Sequence, residues 1–303
     1  MASVAEDAIK RRGRAPGVLA LAVLAILGCS RGDDGPPLPD SLRFAALGDH
    51  GTGGSAQREV ARQLGLVHER QGLELVVLLG DNFYPSGVAD VHAPEWQSHF
   101  EGVYDPASLP IPFYAVAGNH DHKQRIEAQV AYTFLSARWR MPARNYRFER
   151  RIAGRTIGFF AIDTVALEQP FAGYEDGLAW LEAALSASTA DLRIVFGHAP
   201  IWASPGRYGD NAELETRLAP VLREHDVAIY LAGHEHHLEL QRPRDGLTQV
   251  ISGAGATNRD VDPGENTRFA SSRAGFFLFE IDEDDVRVQA ISRDGALLFD
   301  EQL

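Results

Sequence analysis

The stretch LELVVLLGDNFY (residues 73–84) decides the fold: a short apolar run that stops at a glycine and then at a cluster of polar side chains. Apolar runs of this length fit strands buried on both faces, as in a parallel sheet. Working outward, the same pattern recurs. Leu42–Leu47 runs into Gly48, Asp49, His50 and Gly51, and Ile111–Ala117 into Gly118, Asn119, His120, Asp121 and His122. Leu192–Phe196 runs into Gly197 and His198, and Val227–Ala232 into Gly233, His234, Glu235, His236 and His237. Thr156–Ile162 is a further run of the same kind. Between the runs, helical periodicity predicts helices over Ser55–Glu69, Glu95–Tyr104, Glu175–Leu185 and Ala212–His225. In the last third, Leu238–Gln241, Gln249–Ser252, Gly275–Ile281, Val286–Ile291 and Ala296–Asp300 read as hairpin strands separated by turn residues. The order predicts an α/β fold with two packed mixed β-sheets flanked by helices. No linker interrupts residues 42–303, which read as one domain.

Composition narrows the function. The 303 residues are 45% apolar and 23% charged, enough to bury a core and too apolar for disorder. Lys+Arg 29 against Asp+Glu 42 leave a net charge of -13, which speaks against nucleic acid as a partner. A single cysteine excludes an intramolecular disulfide and any Cys-x-x-Cys metal or redox site. Histidine is therefore the soft-metal donor to follow, and seven of the eleven histidines fall in the five clusters above. Loops leaving the carboxyl ends of strands in an open α/β sheet converge on one crevice. Any single cluster reads equally well as a common strand-to-loop turn. Five together gather aspartates and neutral imidazoles that would repel or stay unsatisfied unless cations sat among them. The set reads as a metal site.

The N-terminus reads as an address. Lys10, Arg11, Arg12 and Arg14 precede the apolar run Val18–Leu27, too short to span a bilayer and suited to a signal peptide over residues 1–28. The run ends in Leu27, Gly28 and Cys29, which resembles a bacterial lipobox and implies lipid attachment at Cys29. A cleaved secretory peptide with an incidental cysteine is the alternative. Residues 29–41, rich in proline, glycine and aspartate, read as a flexible tether. The expected product is an exported lipoprotein, anchored in the outer membrane on its periplasmic or cell-surface side, because Ser30 carries no acidic retention signal.

In their order and spacing, GDHG, GDNFY, GNHD, GH and GHEH resemble the calcineurin-like metallophosphoesterase superfamily. Tyr84 within GDNFY narrows the resemblance to the purple acid phosphatases. LLGDNFYPSGV, YAVAGNHDHKQRIEAQVAY, LAWLEAAL, YLAGHEHHLELQ and VISGAG are similar to the small tartrate-resistant type, and the likeness spans residues 42–303. It implies the four-layer fold of that superfamily and two metals. Asp49, Asp81, Tyr84 and His236 would hold one; Asp81, Asn119, His198 and His234 would hold the other, with Asp81 bridging. A phenol has an ordinary pKa of about 10 and binds as phenolate only to a strongly acidic cation, so the first set suits Fe(III). The second suits a divalent ion such as Fe, Zn or Mn. The implied activity is an acid phosphatase that hydrolyses phosphate monoesters with a metal-activated hydroxide as nucleophile. His120 is the implied acid that protonates the leaving alkoxide, with support of a ligand carboxylate as its alternative task. A monomer is expected.

Three departures from the family pattern stand out. His50 occupies a position where tryptophan is usual. The stretch Ala199–Asp210 lacks the second active-site histidine of mammalian members, which leaves Arg207 or Tyr208 to contact the substrate. The loop between Thr164 and Leu178, where animal members carry an inhibitory segment, is short, so constitutive activity is expected. His122 and His237 receive no role. Two other functions fit the same clusters: a phosphodiesterase or nucleotidase with two divalent metals, and a non-catalytic phosphate- or metal-binding lipoprotein. The lipobox has its own test: labelling of expressing cells with a fatty acid is expected to tag the wild type and to leave Cys29→Ser untagged and free of the membrane fraction.

Overall fold

The structure is a computed structural model that describes residues 38–168, 177–205 and 208–303. The signal-peptide reading lies outside the described residues, as does most of the tether and of the loop after residue 168. No helix of the described residues is long and apolar enough to cross a membrane.

Among the described residues, fourteen strands form two seven-stranded mixed sheets, as the order of the elements predicts. In chain order they are β1 (Leu42–Leu47), β2 (Leu75–Leu78), β3 (Phe113–Ala115), β4 (Trp139–Arg140), β5 (Tyr146–Ile152), β6 (Arg155–Ala161) and β7 (Leu192–Phe196). Then come β8 (Ile229–Ala232), β9 (Leu238–Gln241), β10 (Thr248–Ser252), β11 (Thr267–Ser271), β12 (Gly275–Ile281), β13 (Val286–Ser292) and β14 (Leu297–Gln302). The first sheet has the order β14-β13-β12-β1-β2-β3-β4, the second β11-β9-β10-β8-β7-β6-β5. Each has a parallel section, β1 to β4 in one and β6, β7, β8 and β10 in the other, and the six apolar runs of the sequence supply β1, β2, β3, β6, β7 and β8 of them.

The sheets face each other across a core of aromatic rings. Phe44 of β1 meets Phe159 of β6 edge-on at 5.2 Å and stacks on Phe279 of β12 at 4.7 Å. Helix α1 (Ser55–Gln71) buries Val60, Ala61, Leu64 and Val67, one stripe at helical spacing, in the same core. It stops at Gly72, whose φ of 75° is the left-handed cap a glycine adopts without strain. A second core lies on the other face of the second sheet. There α4 (Gly177–Ser186) and α5 (Ala212–Glu224) set Leu181, Leu185, Leu214, Leu218 and Leu222 against Phe160, Val195 and Tyr230. Asn211 caps α5 by accepting from the Leu214 amide at 3.1 Å. Two shorter helices, α2 (Ile126–Tyr132) and α3 (Thr164–Glu168), follow β3 and β6.

Two sequence expectations need correction. The predicted helix Glu95–Tyr104 is only a π-helical turn, Trp96–Glu101, in which the Gly102 amide reaches back five residues to the Gln97 carbonyl. That wide turn lets both Trp96 and Phe100 reach the core. Strands β4, β5 and β11 went unread, and all three are edge strands. An edge strand keeps charge along one side, as β5 does with Arg147, Glu149 and Arg151, so its apolar pattern is diluted. Phe44→Ala is expected to cost about 3–5 kcal/mol, read as a lower urea midpoint with an unchanged m value.

Candidate metal centre

Both parallel sections discharge their carboxyl ends at the same place. The Gly48 amide after β1 donates to the Ser252 carbonyl of β10 at 2.7 Å, and Gly255 donates back to Gly48 at 3.0 Å. The loops after β1, β2, β3, β7 and β8 thereby bring together Asp49, Asp81, Tyr84, Asn119, His198, His234 and His236. Asp49, Asp81 and His234 have φ of 57°, 52° and 68°, a left-handed turn immediately beyond a strand. Non-glycine residues adopt it rarely, and such outliers gather at functional sites. Close approach demands glycine as well: a Cβ on Gly118 would overlap the Asp81 amide and carboxylate, and nothing there can retreat.

The donor atoms fall into two groups. In one, Asp49 Oδ1 lies 3.1 Å from the Tyr84 hydroxyl and 3.3 Å from His236 Nε2, with the hydroxyl 3.4 Å from that nitrogen. In the other, Asn119 Oδ1, His198 Nε2 and His234 Nδ1 lie 3.0 to 3.1 Å from one another. Asp81 stands between them, its Oδ1 3.5 Å from His198 Nε2 and its carboxylate also acting on Tyr84. Asp49, Asp81 and His198 place one ligand atom each within 4.8 Å of one another, all buried.

Hydrogen bonds orient the ligands from behind. His198 Nδ1 donates to the Leu79 carbonyl at 2.8 Å, and His236 Nδ1 lies 2.7 Å from the Thr257 hydroxyl. The bond to the Leu79 carbonyl leaves His198 Nε2 with its lone pair toward the centre. The His234 amide donates to Asp49 Oδ2 at 2.7 Å, and the His120 amide to Asp81 Oδ1 at 2.8 Å.

The residues fit a pair of cations. Burial pushes the Asp49 carboxyl up, but the His236 hydrogen bond and the fields of His198, His236 and His234 more than reverse it, leaving it below the ordinary value. Burial followed by the two carboxylates drives the Tyr84 phenol far above its ordinary range, so only a strongly acidic cation would ionise it there. His234 is drawn down to about 3 by burial and then by His198, which keeps its ring a neutral donor. The ion pairs of Asp49 and Asp81 among the described residues are with histidines, so fixed positive charge has to come from elsewhere.

Comparison with known proteins decides the lineage. The calcineurin-like phosphoesterase family matches residues 42–238. Tartrate-resistant acid phosphatase type 5 of Homo sapiens is 33% identical over 296 residues, 87% of this chain and 91% of that protein. The chain belongs to the tartrate-resistant purple acid phosphatases of the calcineurin-like family. Purple acid phosphatase 3 of Arabidopsis thaliana is 31% identical over 276 residues, 82% of this chain and 74% of its own. Among solved structures, GAP50, the anchor in the inner membrane complex of Plasmodium, superposes with a TM-score of 0.80 at 26% identity, covering 87% of this chain and 88% of its own. This purple acid phosphatase relative is thus a metallophosphoesterase-type hydrolase, and its homologues imply a dinuclear metal centre.

Other residues of the same loops surround the donors. His120 sends Nδ1 to the Pro85 carbonyl at 2.7 Å, and its ring centre lies 4.5 Å from that of Tyr84. His50 points away from the donors: Nε2 lies 3.2 Å from Asn82 Oδ1 and Nδ1 3.0 Å from the Tyr104 hydroxyl, and burial draws its pKa down to about 4. His122 meets Asp163 at 2.9 Å, and His237 meets Glu239 at 2.9 Å, so both are placed by a carboxylate. Sequence reasoning missed Asp121 and Thr164. Buried Asp121 accepts from the amides of Gly118, Asn82 and Phe83 and from Gln129 Nε2, at 2.8 to 3.2 Å, and so ties the loop after β2 to the loop after β3. Thr164 Oγ1 accepts from the His198 and Ala199 amides at 3.1 and 2.9 Å. The signal for Asp121 was its place at the end of GNHD; for Thr164 there was none. Asp121→Asn turns one acceptor into a donor facing donors, and it is expected to weaken metal retention about 10- to 100-fold in chelator competition.

Proposed function

We propose that the protein is an acid phosphatase that hydrolyses phosphate monoesters at a dinuclear Fe(III)–M(II) centre, M being Fe, Zn or Mn. The observation that carries this is the Tyr84 hydroxyl, 3.1 Å from Asp49 and 3.4 Å from His236. A phenol among these donors has a use if the cation beside it is trivalent. Asp49, Asp81, Tyr84 and His236 would hold that ion, and Asp81, Asn119, His198 and His234 the divalent one. When bound, the two cations supply Lewis acidity, neutralising the phosphoryl oxygens and making a water acidic enough to attack below neutral pH.

The chain's own residues do the rest. Asp49 and Asp81, held by backbone amides, balance the cations and leave a modest local positive charge for an anionic ester despite the acidic surface. Because His120 Nδ1 is engaged by Pro85, Nε2 is the atom left to carry a proton to the departing alkoxide. Lys123 Nζ lies 3.0 Å from the same Nδ1 and 3.4 Å from the Pro85 carbonyl, and adds positive charge on that side. The protein is further proposed to be exported and tethered through Cys29 to the outer membrane, a monomer acting on soluble phosphomonoesters.

GAP50 is described as an anchor, so the fold by itself does not separate catalysis from binding. The spectrum and the turnover do. Purified, iron-loaded and oxidised, the protein is expected to be violet and to hydrolyse an aryl phosphate with an acid optimum. Tyr84→Phe is expected to lose the colour, and His198→Ala the turnover. A colourless wild type that hydrolyses esters would favour two divalent metals, and metal retention without turnover would favour the binding protein.

A further inference from the structure

The turn that leaves His120 also carries a lysine. It is a single 3₁₀ turn, Asp121–Lys123, in which the Lys123 amide donates to the His120 carbonyl at 3.3 Å. The loop after Tyr84 packs against it backbone to backbone. Gly87, with a φ of 68°, lies so close that a Cβ there would meet the Asp121 carbonyl at 2.7 Å. The base of Lys123 is therefore fixed relative to Tyr84 and Pro85. Its side chain turns back over the same loop. His120 Nδ1 and Lys123 Nζ lie 2.7 and 3.4 Å from the Pro85 carbonyl and 3.0 Å from each other. The ammonium thus stands one imidazole ring beyond His120 Nε2, the atom that carries the proton to the departing alkoxide.

This flank is the basic one of an acidic molecule. Residues 122–162 hold nine Lys and Arg against two Asp and Glu, although the whole chain stands at -13. The edge strands of both sheets, β4 and β5, belong to that stretch. Carboxylates around the turn are already matched. Glu127 pairs with Arg144, and Asp163 with His122 at 2.9 Å and Arg144 at 3.7 Å. Asp121 is turned inward to the amides of Gly118, Asn82 and Phe83. Lys123 itself is exposed, so its charge keeps most of its hydration, and its four-carbon stem lets the ammonium follow a partner.

We propose that Lys123 is a specificity-determining residue for the leaving group, and that it selects phosphate monoesters of hydroxy acids, with the carboxylate on the ester carbon or the carbon next to it. The proposal rests on the phosphomonoesterase reading and adds a substrate class to it. As the phosphorus–oxygen bond breaks, its electron pair stays on the leaving oxygen and His120 Nε2 gives that oxygen a proton. The carboxylate of the same leaving group takes no part in the exchange and lies against Lys123 Nζ. Reach sets the class: an ammonium one ring away from the proton donor meets an anion a few bonds from the ester oxygen. A leaving group without that anion gains nothing from Lys123.

The test uses the full-length, metal-loaded protein and two matched pairs of compounds. Glycerol 2-phosphate and 2-phosphoglycerate differ by one hydroxymethyl group that is a carboxylate in the second. Propylphosphonate and 3-phosphonopropionate carry the same contrast without an ester to cleave, and serve as probes in calorimetry. The wild type is expected to bind 3-phosphonopropionate about fivefold more tightly than propylphosphonate, the size of effect a half-solvated ion pair gives. Lys123→Ala should bring the two together and raise KM for 2-phosphoglycerate about fivefold more than KM for glycerol 2-phosphate. Lys123→Arg should recover most of the difference, and Lys123→Glu should invert it. Raising the ionic strength from about 0.01 M to about 1 M, which shortens the Debye length from about 30 Å to about 3 Å, should erase the preference in the wild type. Equal affinity of the wild type for the two phosphonates overturns the proposal. So does a Lys123→Ala effect of the same size on both members of a pair, which would mean that the lysine only props Pro85 and His120. Should the phosphonate preference hold while neither ester is hydrolysed, the anion contact stands and the phosphatase reading falls.

Discussion

Two carboxylates facing one another inside the protein are the constraint on which the rest depends. Asp49 and Asp81 are 0% and 2% exposed, at the ends of neighbouring parallel strands, where water cannot screen them. Like charges that close in a low-dielectric interior are costly, and each needs both donors and counter-charge. The chain provides donors, the amides of His234 and His120, and it provides imidazoles. It places no lysine or arginine in an ion pair with either carboxylate among the described residues. Two bound cations meet that need, and in doing so they would pull together loops from both sheets. The centre is in this sense a structural clasp as well as a site for chemistry.

The backing of that clasp is built in layers that reach well beyond the donor atoms. Asp121 joins two loops of the first sheet through backbone amides, and Thr164 does the same for the His198 turn of the second. His122 with Asp163, and His237 with Glu239, extend the pairing outward. Glu239 shows how burial and hydrogen bonding compete: burial pushes its carboxyl up, and the bonds from His237 and Ser204 bring it below the ordinary value. Its stabilising contribution is present above the unfolded carboxylate value of about 4.5 and fades as pH falls through the lower folded one. The same carboxylate anchors the loop that carries Tyr208, so that loop and the β8–β9 loop of His234 and His236 share one buried network.

Membership of the tartrate-resistant purple acid phosphatases gives the chemistry a frame without specifying every residue of it. The mammalian pattern has a histidine in the loop after the His198 motif; here that loop carries a tyrosine stacked on His234. At the position after Asp49, a buried histidine turns from the donors toward Asn82 and Tyr104, supporting the loops from beneath. Substitutions of this kind leave the donor set alone and change what surrounds it.

What the sequence alone determined was the periodic part. Six apolar runs and five glycine-led clusters announced parallel strands with their loops at one end, and with them the α/β fold and the residues that meet there. Those signals are local, because a strand buried on both faces must be apolar throughout and a sharp turn at its end needs glycine. Edge strands β4, β5 and β11 escaped, since an edge is defined by what it fails to touch, and no single segment records that. The separation of the donors into two groups around Asp81, the tie through Asp121, the reversal of His50 and the latch from Glu235 to Tyr208 belong to tertiary structure alone. Each joins residues far apart in the chain, and a side chain's direction is set by the packing that surrounds it, not by its neighbours in sequence.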